Sequence, residues 1–302
     1  MNNRNELTEQ FDRTGIAYLL DEPMSLHTTF KIGGAASVVA VPTSVQQVAE
    51  IVKICNDLKI RYMAVGNGSN LLVSDRGIDA CVIMLGKDFA KVEILDNNII
   101  HCQAGAQLIK ACRVALENGL SGLEFAYGIP GSCGGAAFMN AGAYGGEIKD
   151  VLVRCRHIDT QGNEGALDGE DMELSYRHSA YHHNGCIVTD LYFQLTPDDP
   201  DAIRNRMEDY ISRRKDKQPL EYPSAGSTFK RPEGYFAGAL IQDCGLKGAA
   251  VGGARVSDKH AGFVINTGNA TCQDVLDLCS YVSDTVLREK GVKLEMEIRV
   301  TE

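Results

Sequence analysis

Five features of this sequence have residue types and spacing suited to chemistry. The first is a run of small residues in which nine of the 28 positions from Gly119 to Gly146 are glycine, with Pro130, Ser132 and Asn140 interleaved. Glycine has no Cβ, so such backbone approaches another group closely, at an entropic cost that ordinary helix or strand would not repay. A run this dense wraps something, either a bound group whose phosphates take backbone N–H bonds or its own tightly packed loop. The second is Arg177 in Ser-Tyr-Arg-His-Ser, whose planar fork suits a carboxylate, the alternative being a surface arginine in a turn. Ser227 lies between Gly226 and Thr228, where a small neighbour exposes its hydroxyl or where it is simply a turn serine. Glu297 lies in Leu294 to Val300, an alternating stretch that sends Glu295, Glu297 and Arg299 to one face, as on a solvated strand. Last, Arg213, Arg214, Lys215 and Lys217 close a polar helix, whose negative C-terminal end they would complement.

The chain that must position these groups has 302 residues, enough for two domains with proper cores. Thirty basic and 40 acidic residues give a net charge of −10, which excludes a broad electrostatic footprint for nucleic acid or anionic membrane. No apolar run approaches the ~20 residues of a membrane span. The polar N-terminus lacks the apolar core of a signal peptide, so a cytoplasmic protein is expected. The ten cysteines contain no Cys-x-x-Cys pair and mostly sit in apolar segments, as reduced buried thiols do. His182, His183 and Cys186 come nearest to a metal cluster, and with no second ligand group at suitable spacing no metal is expected.

Helical spacing is read over about 43–59, opened by a capping box of Thr43 with Gln46, and over about 106–117, 201–215, 237–244 and 271–290, the last capped by Thr271 with Asp274. Strand patterns fall at 37–41, 61–65, 81–85, 91–95, 99–103, 151–158, 185–195, 251–257, 262–266 and 292–301. Gly66-Asn-Gly-Ser-Asn-Leu lacks the third glycine of a dinucleotide fingerprint and leads into strand instead of helix, which excludes a Rossmann reading. Pro197-Asp-Asp-Pro200 is the strongest linker signal. The resulting expectation is an α+β protein with mixed sheets and a main boundary there, giving domains 1–198 and 199–302, the first in lobes of about 1–80 and 81–198.

Seven blocks, in order, resemble the UDP-N-acetylenolpyruvoylglucosamine reductases (MurB). They are His27-Thr-Thr-Phe-Lys-Ile-Gly-Gly, Gly66-Asn-Gly-Ser-Asn-Leu-Leu, Ile129-Pro-Gly-Ser-Cys-Gly-Gly, Asn140-Ala-Gly-Ala-Tyr-Gly, Ser175-Tyr-Arg, Ala225-Gly-Ser-Thr-Phe-Lys and Gly252-Gly-Ala-Arg-Val-Ser. The resemblance implies a noncovalent FAD in a two-lobed PCMH-type domain, followed by a smaller α+β substrate-binding domain whose last strand brings Glu297 to the active site. It also implies NADPH as reductant and reduction of UDP-N-acetylglucosamine enolpyruvate to UDP-N-acetylmuramate for peptidoglycan. Only His178 to Gly185 separates Arg177 from the next strand, so the chain is similar to the shorter subtype without a tyrosine-bearing loop. Two other readings stay open, a sugar or lactone oxidase of the same flavin fold, which gives no reason for the Ser227 block, and a non-catalytic nucleotide-sugar binder.

The implied reaction needs stabilisation of an enolate-like carboxylate and a proton for the carbon beside it. On the family pattern Arg177 is the catalytic arginine, Ser227 the proton donor and Glu297 the catalytic glutamate, Glu295 being the nearest confusable position. Gly66, Asn67, Gly68, Ser69, Asn70 and Leu71, with Gly128, Pro130, Gly131, Ser132, Gly134 and Gly135, are implied to cradle FAD, completed by Asn140 and Gly142. Tyr176, Arg214, Lys217, Lys230 and His260 are the implied substrate contacts.

Overall fold

The computed structural model describes residues 3–302. Its internal contacts group the chain into two compact units, neither of them one continuous segment: 1–20, 38–67 and 80–213 form the first, and 21–37, 68–79 and 214–302 the second.

The first unit opens with helix α1 (Asn3–Thr14), a helix within the polar N-terminal segment that no sequence pattern indicates. Only Leu7 and Phe11 of α1 are buried, so its apolar stripe is too thin to register as a helical pattern. Helix α2 (Val45–Asp57) buries Val48, Ile51, Val52, Ile54 and Cys55, the face its spacing specified. Its N-cap is one residue later than expected. Ser44 Oγ accepts from Gln47 N at 3.2 Å, while Thr43 N–H donates to Gln47 Oε1 at 2.8 Å. Ser44 thus takes the cap role expected of Thr43, while Gln47 reaches past the cap to Thr43 N, so the reciprocal box is not formed.

A four-stranded sheet runs in the order Ala17–Pro23, Ala35–Val41, Ile78–Met84, Tyr62–Val65. A five-stranded antiparallel sheet follows, ordered Glu164–Asp168, Leu152–Ile158, Ile187–Gln194, Ile99–Gln103, Val92–Leu95. Helix α3 (Leu108–Glu117) and the short helix α4 (Cys133–Phe138) belong to the same unit. Buried residues of these elements, from Leu7 to Met207, form one apolar cluster that includes six of the cysteines. All ten cysteines are free thiols, eight of them buried. Burial pushes the Cys155 thiol up to about 12, as expected of inert core residues.

Helix α5 (Pro200–Lys217) shows what the Pro-Asp-Asp-Pro signal encodes. Thr196–Pro197 pairs with Leu120–Ser121, and Pro200 opens the helix, where its fixed φ and missing N–H cost nothing. Ile203 and Met207 of α5 join the first core. Arg206 ties the helix down through Glu124 at 2.7 Å and Asp198 at 2.5 Å. The segment is therefore ordered secondary structure, and the two compact units meet in sequence within α5, between Arg213 and Arg214.

The second unit contains helix α6 (Ala237–Asp243), helix α7 (Cys272–Lys290) and a three-stranded antiparallel sheet, Ala250–Val251, Ala254–Val256, Val264–Asn266. The continuous strand expected over 251–257 is a tight hairpin, because Gly252 takes φ +52° and turns the chain. In α7 the Thr271 and Asp274 capping box is present in both directions, as its spacing specified. The expected last strand is regular only over Arg299–Thr301, which pairs in parallel with Leu71–Val73. Upstream, a single bridge joins Met296 to Phe229. Leu294 and Ile298 enter the second apolar cluster with Phe30, Leu72, Val275 and Val286.

Candidate active site

In the first unit Arg177 occupies the second central position of the turn Ser175 to His178, closed by reciprocal backbone bonds of 3.2 and 3.1 Å. Its φ of +54° is a conformation such turns normally give to glycine. Keeping arginine there is costly, and strain of this kind concentrates at functional sites. The guanidinium donates from Nη2 to Gly142 O at 3.3 Å and lies 5.0 Å over the Tyr176 ring. Asn140, fully buried, donates from Nδ2 to Ser175 O and to Glu147 Oε2, both at 2.9 Å, and accepts from Lys149 N through Oδ1 at 2.9 Å. Those contacts engage its whole amide, so Asn140 braces the turn under Arg177 and pins Glu147. Glu147 was not singled out from the sequence. Its carboxyl is held below the usual range by Lys149 first, then by Asn140 and the charge of Arg177.

The two glycine-rich candidates of this unit are bonded to each other, Asn67 Nδ2 donating to Pro130 O at 2.9 Å. Ser132 caps α4 by accepting from Gly135 N at 3.2 Å. A Cβ on Gly66 would come within 2.1 Å of Ser132 Oγ, and one on Gly134 within 2.7 Å of the Ala104 Cβ. Both segments are closed to larger side chains, and the surface is built of backbone and small residues. Such a surface lets a bulky group approach the backbone closely, while the amides of Cys133, Gly134 and Gly135 are already bonded to Ala106 O, Ala104 O and Ser132 Oγ. Tyr144 and Tyr210 stack with centroids 4.7 Å apart and planes at 2°, with Arg213 over Tyr210 at 6.0 Å. This ladder was not legible in the sequence, since it joins residues 66 positions apart.

In the second unit Gly68 is buried and Asn70 ties the remaining glycine-rich segment to the C-terminus. Asn70 Nδ2 donates to Glu297 O at 3.2 Å, and Asn70 O accepts from Arg299 N at 2.9 Å. Ser69 and Leu71 flank Asn70, half-buried. Ser227 is exposed and follows Gly226. Its neighbour Thr228 is buried and fully used, N–H donating to Gly262 O and O accepting from Glu297 N, both at 2.8 Å, while Oγ1 accepts from Val264 N at 2.8 Å. Residue 228 is anchored in this way, Ser227 before it is exposed, and Glu297, whose N–H bonds Thr228 O, is half-buried. Glu295 is committed elsewhere, forming an ion pair with Lys230 Nζ and accepting from Lys230 N through its carbonyl. Of the two glutamates Glu295 is thus the one engaged by Lys230, whose ammonium is already matched to a carboxylate. His260 accepts from Gly262 N through Nδ1 at 3.1 Å and packs edge-on against Phe263. Burial first, then the charges of Lys247 and Lys217, lower its pKa. Lys217 is exposed and Arg214 half-buried at the end of α5.

Residues 36–164 match the family model of an FAD binding domain. Residues 218–301 match that of the C-terminal domain of UDP-N-acetylenolpyruvoylglucosamine reductase. This chain belongs to the UDP-N-acetylenolpyruvoylglucosamine reductase family. It is 48% identical to the reductase of Agathobacter rectalis over 97% of this chain and 96% of that one. With the Clostridium botulinum reductase it shares 49% over 93% and 92%. The crystal structure of the reductase MurB from Thermus caldophilus superposes with a TM-score of 0.81 at 33% identity, covering 95% of this chain and 99% of that one. The PCMH-type domain and a reductase C-terminal domain, as the motifs implied, are the fold of this protein. Among the described residues no helix is long and apolar enough to cross a membrane.

Proposed function

We infer that this protein reduces the enolpyruvyl C=C bond of UDP-N-acetylglucosamine enolpyruvate to give UDP-N-acetylmuramate, a peptidoglycan precursor, with FAD and NADPH. The observation that carries the reading is the pairing on one chain of an FAD-binding domain with the C-terminal domain of this reductase, at near-half identity over almost the full length. A sugar oxidase of the same flavin fold has no use for the second match, and a non-catalytic binder none for the first. Both substrates are soluble nucleotides, which supports a cytoplasmic location. In this reading residues 1–198 hold FAD and 199–302 carry most contacts to the substrate.

Gly66, Asn67, Gly68, Ser69, Asn70 and Leu71, with Gly128, Pro130, Gly131, Ser132, Gly134, Gly135 and Gly142, would hold the cofactor, and Asn140 would act on it indirectly by fixing the Arg177 turn. Bound FAD supplies the relay of hydride from NADPH to the terminal carbon of the enolpyruvyl group. Arg177 meets the carboxylate as it gains charge, and its strained turn keeps the fork from relaxing when no substrate is present. Ser227 donates the proton to the carbon beside the carboxylate. A hydroxyl is a weak acid, so Glu297 assists by hydrogen bonding to the developing charge. Arg214 and Lys217 take the diphosphate. Lys230 joins them only by exchanging Glu295 for phosphate, while His260 and Tyr176 line the substrate. The absorption spectrum of purified protein under anaerobic conditions tests this reading. A flavin spectrum that bleaches with NADPH and recovers with the enolpyruvyl substrate is expected, and a colourless protein that takes up no FAD would refute it.

A further inference from the structure

The loop that carries Arg177 is flanked by a group of side chains the reductase reaction does not use. Glu173, His178 and His183 each offer one ligand atom, and these atoms all lie within 4.8 Å of one another. Glu173 Oε2 is 3.8 Å from His178 Nε2 and 3.7 Å from His183 Nε2. We propose that these three residues form a binding site for a divalent cation of the zinc class, placed to clasp the Arg177 turn.

The donor chemistry favours that class. Two imidazoles and one carboxylate are a borderline nitrogen and oxygen set, suited to Zn²⁺ and poorly to Mg²⁺ or Ca²⁺, which prefer oxygen. Ligand atoms around a tetrahedral zinc lie roughly 3.3 Å apart, given bonds of about 2.0–2.1 Å. The cluster therefore needs to contract only modestly, and all three side chains are at least two-fifths exposed and free to adjust. The backbone beneath them is fixed. Glu173 is held at φ +50°, and His178 ends the turn closed on Ser175. His183 follows a short helical turn capped reciprocally by Ser179 and His182. His182, the third imidazole of the group, is occupied otherwise, accepting from Ser179 N through Nδ1 and packing 4.2 Å from Phe138. The sequence grouped His183 with His182 and Cys186, whereas the fold selects His183 with two residues upstream of it. Exposure leaves at least one coordination position open to water. Because Glu173 and His178 stand on either side of Tyr176 and Arg177, an ion bridging them ties the two ends of that turn together.

The test is isothermal titration of the flavin-loaded protein with zinc chloride, in wild type and in the separate variants Glu173→Gln, His178→Gln and His183→Ala. Folding of each is verified by flavin content and melting temperature. Wild type is expected to take up one equivalent of Zn²⁺, to ignore Mg²⁺ and to melt higher with zinc than without. Losing a direct ligand costs at least what losing its supporting partner does, so each variant should bind zinc at least about tenfold more weakly. Failure of wild type to take up zinc in large excess would overturn the proposal. So would zinc uptake that none of the three substitutions weakens, since the ion would then sit elsewhere.

Discussion

Gly66→Ala isolates the close approach on which the glycine-rich surface depends. Gly66 lies outside the left-handed region, so alanine meets no backbone penalty there and the effect is purely steric. The new Cβ would fall 2.1 Å from Ser132 Oγ and 3.0 Å from Ser132 Cβ. Ser132 must move, and its Oγ then leaves Gly135 N and uncaps α4. Loss of the cap costs ~1 kcal/mol, and forcing a methyl into packed space costs ~1–3 kcal/mol more. The variant should therefore lose about 2–4 kcal/mol, a fall in melting temperature on the order of 4–16 °C for a domain of this size. It should also retain less flavin on gel filtration. Ser132→Gly removes both clashing atoms and, as an N-cap, costs only about a few tenths of a kcal/mol. The double variant Gly66→Ala/Ser132→Gly should thus melt within a few degrees of wild type and regain its flavin. Urea denaturation of the four proteins gives the coupling energy, expected at about 1–3 kcal/mol in favour of the double variant. Strictly additive effects, or a Gly66→Ala protein as stable and as yellow as wild type, would refute the steric argument.

Ser227→Ala should leave anaerobic bleaching of the flavin by NADPH nearly unchanged and slow its recovery with the enolpyruvyl substrate by about 100-fold or more, as measured by stopped flow; equal loss in both phases of a folded variant would remove the proton-donor role. Arg177→Lys should lower turnover at least about tenfold, since a point charge does not replace a fork, and wild-type turnover would show that the carboxylate is held elsewhere. Glu124, 7% exposed, has its carboxyl pushed up by burial, but Arg206, the Gly122 N–H and Ser121 outweigh this and hold it below the usual range. Its contribution is therefore present above the unfolded carboxylate range and lost as pH falls through the depressed folded value. Glu124→Gln should cost roughly 2–3 kcal/mol at neutral pH, with Arg206 partly solvated, and the gap from wild type in urea melts should close in acid. His101 has the opposite sign. Asp190 at 2.8 Å raises its pKa against the effect of burial, aided by Glu93 at 3.4 Å. His101→Gln should cost roughly 1–2 kcal/mol near pH 6, and clearly less once the pH rises past the raised value; an unchanging gap would show that the imidazolium is not what Asp190 stabilises.

Much of this protein was decided by local chemistry and was therefore readable. The α7 capping box, the apolar stripe of α2, the strand Ile99–Gln103 and the strand after Gly66 depend on residues within a turn or two of each other. Family membership was equally legible, because seven ordered blocks of motif do not need coordinates to be compared. What the tertiary structure alone decided is which of several equivalent residues meet. Nothing local separates Glu297 from Glu295. In the fold they differ: Thr228 O takes the Glu297 N–H, and Lys230 claims Glu295, across some seventy residues of chain. Asn140 carried the sequence signal of a pocket residue, yet burial commits its amide to Ser175, Glu147 and Lys149, beneath an arginine that the sequence could not show to be strained. Periodicity and capping act over a few residues and are written in order along the chain. A hydrogen bond between distant segments is specified only by the packing that brings them together, so the bond of Thr228 to Glu297 and the bracing of Arg177 exist only in the folded state.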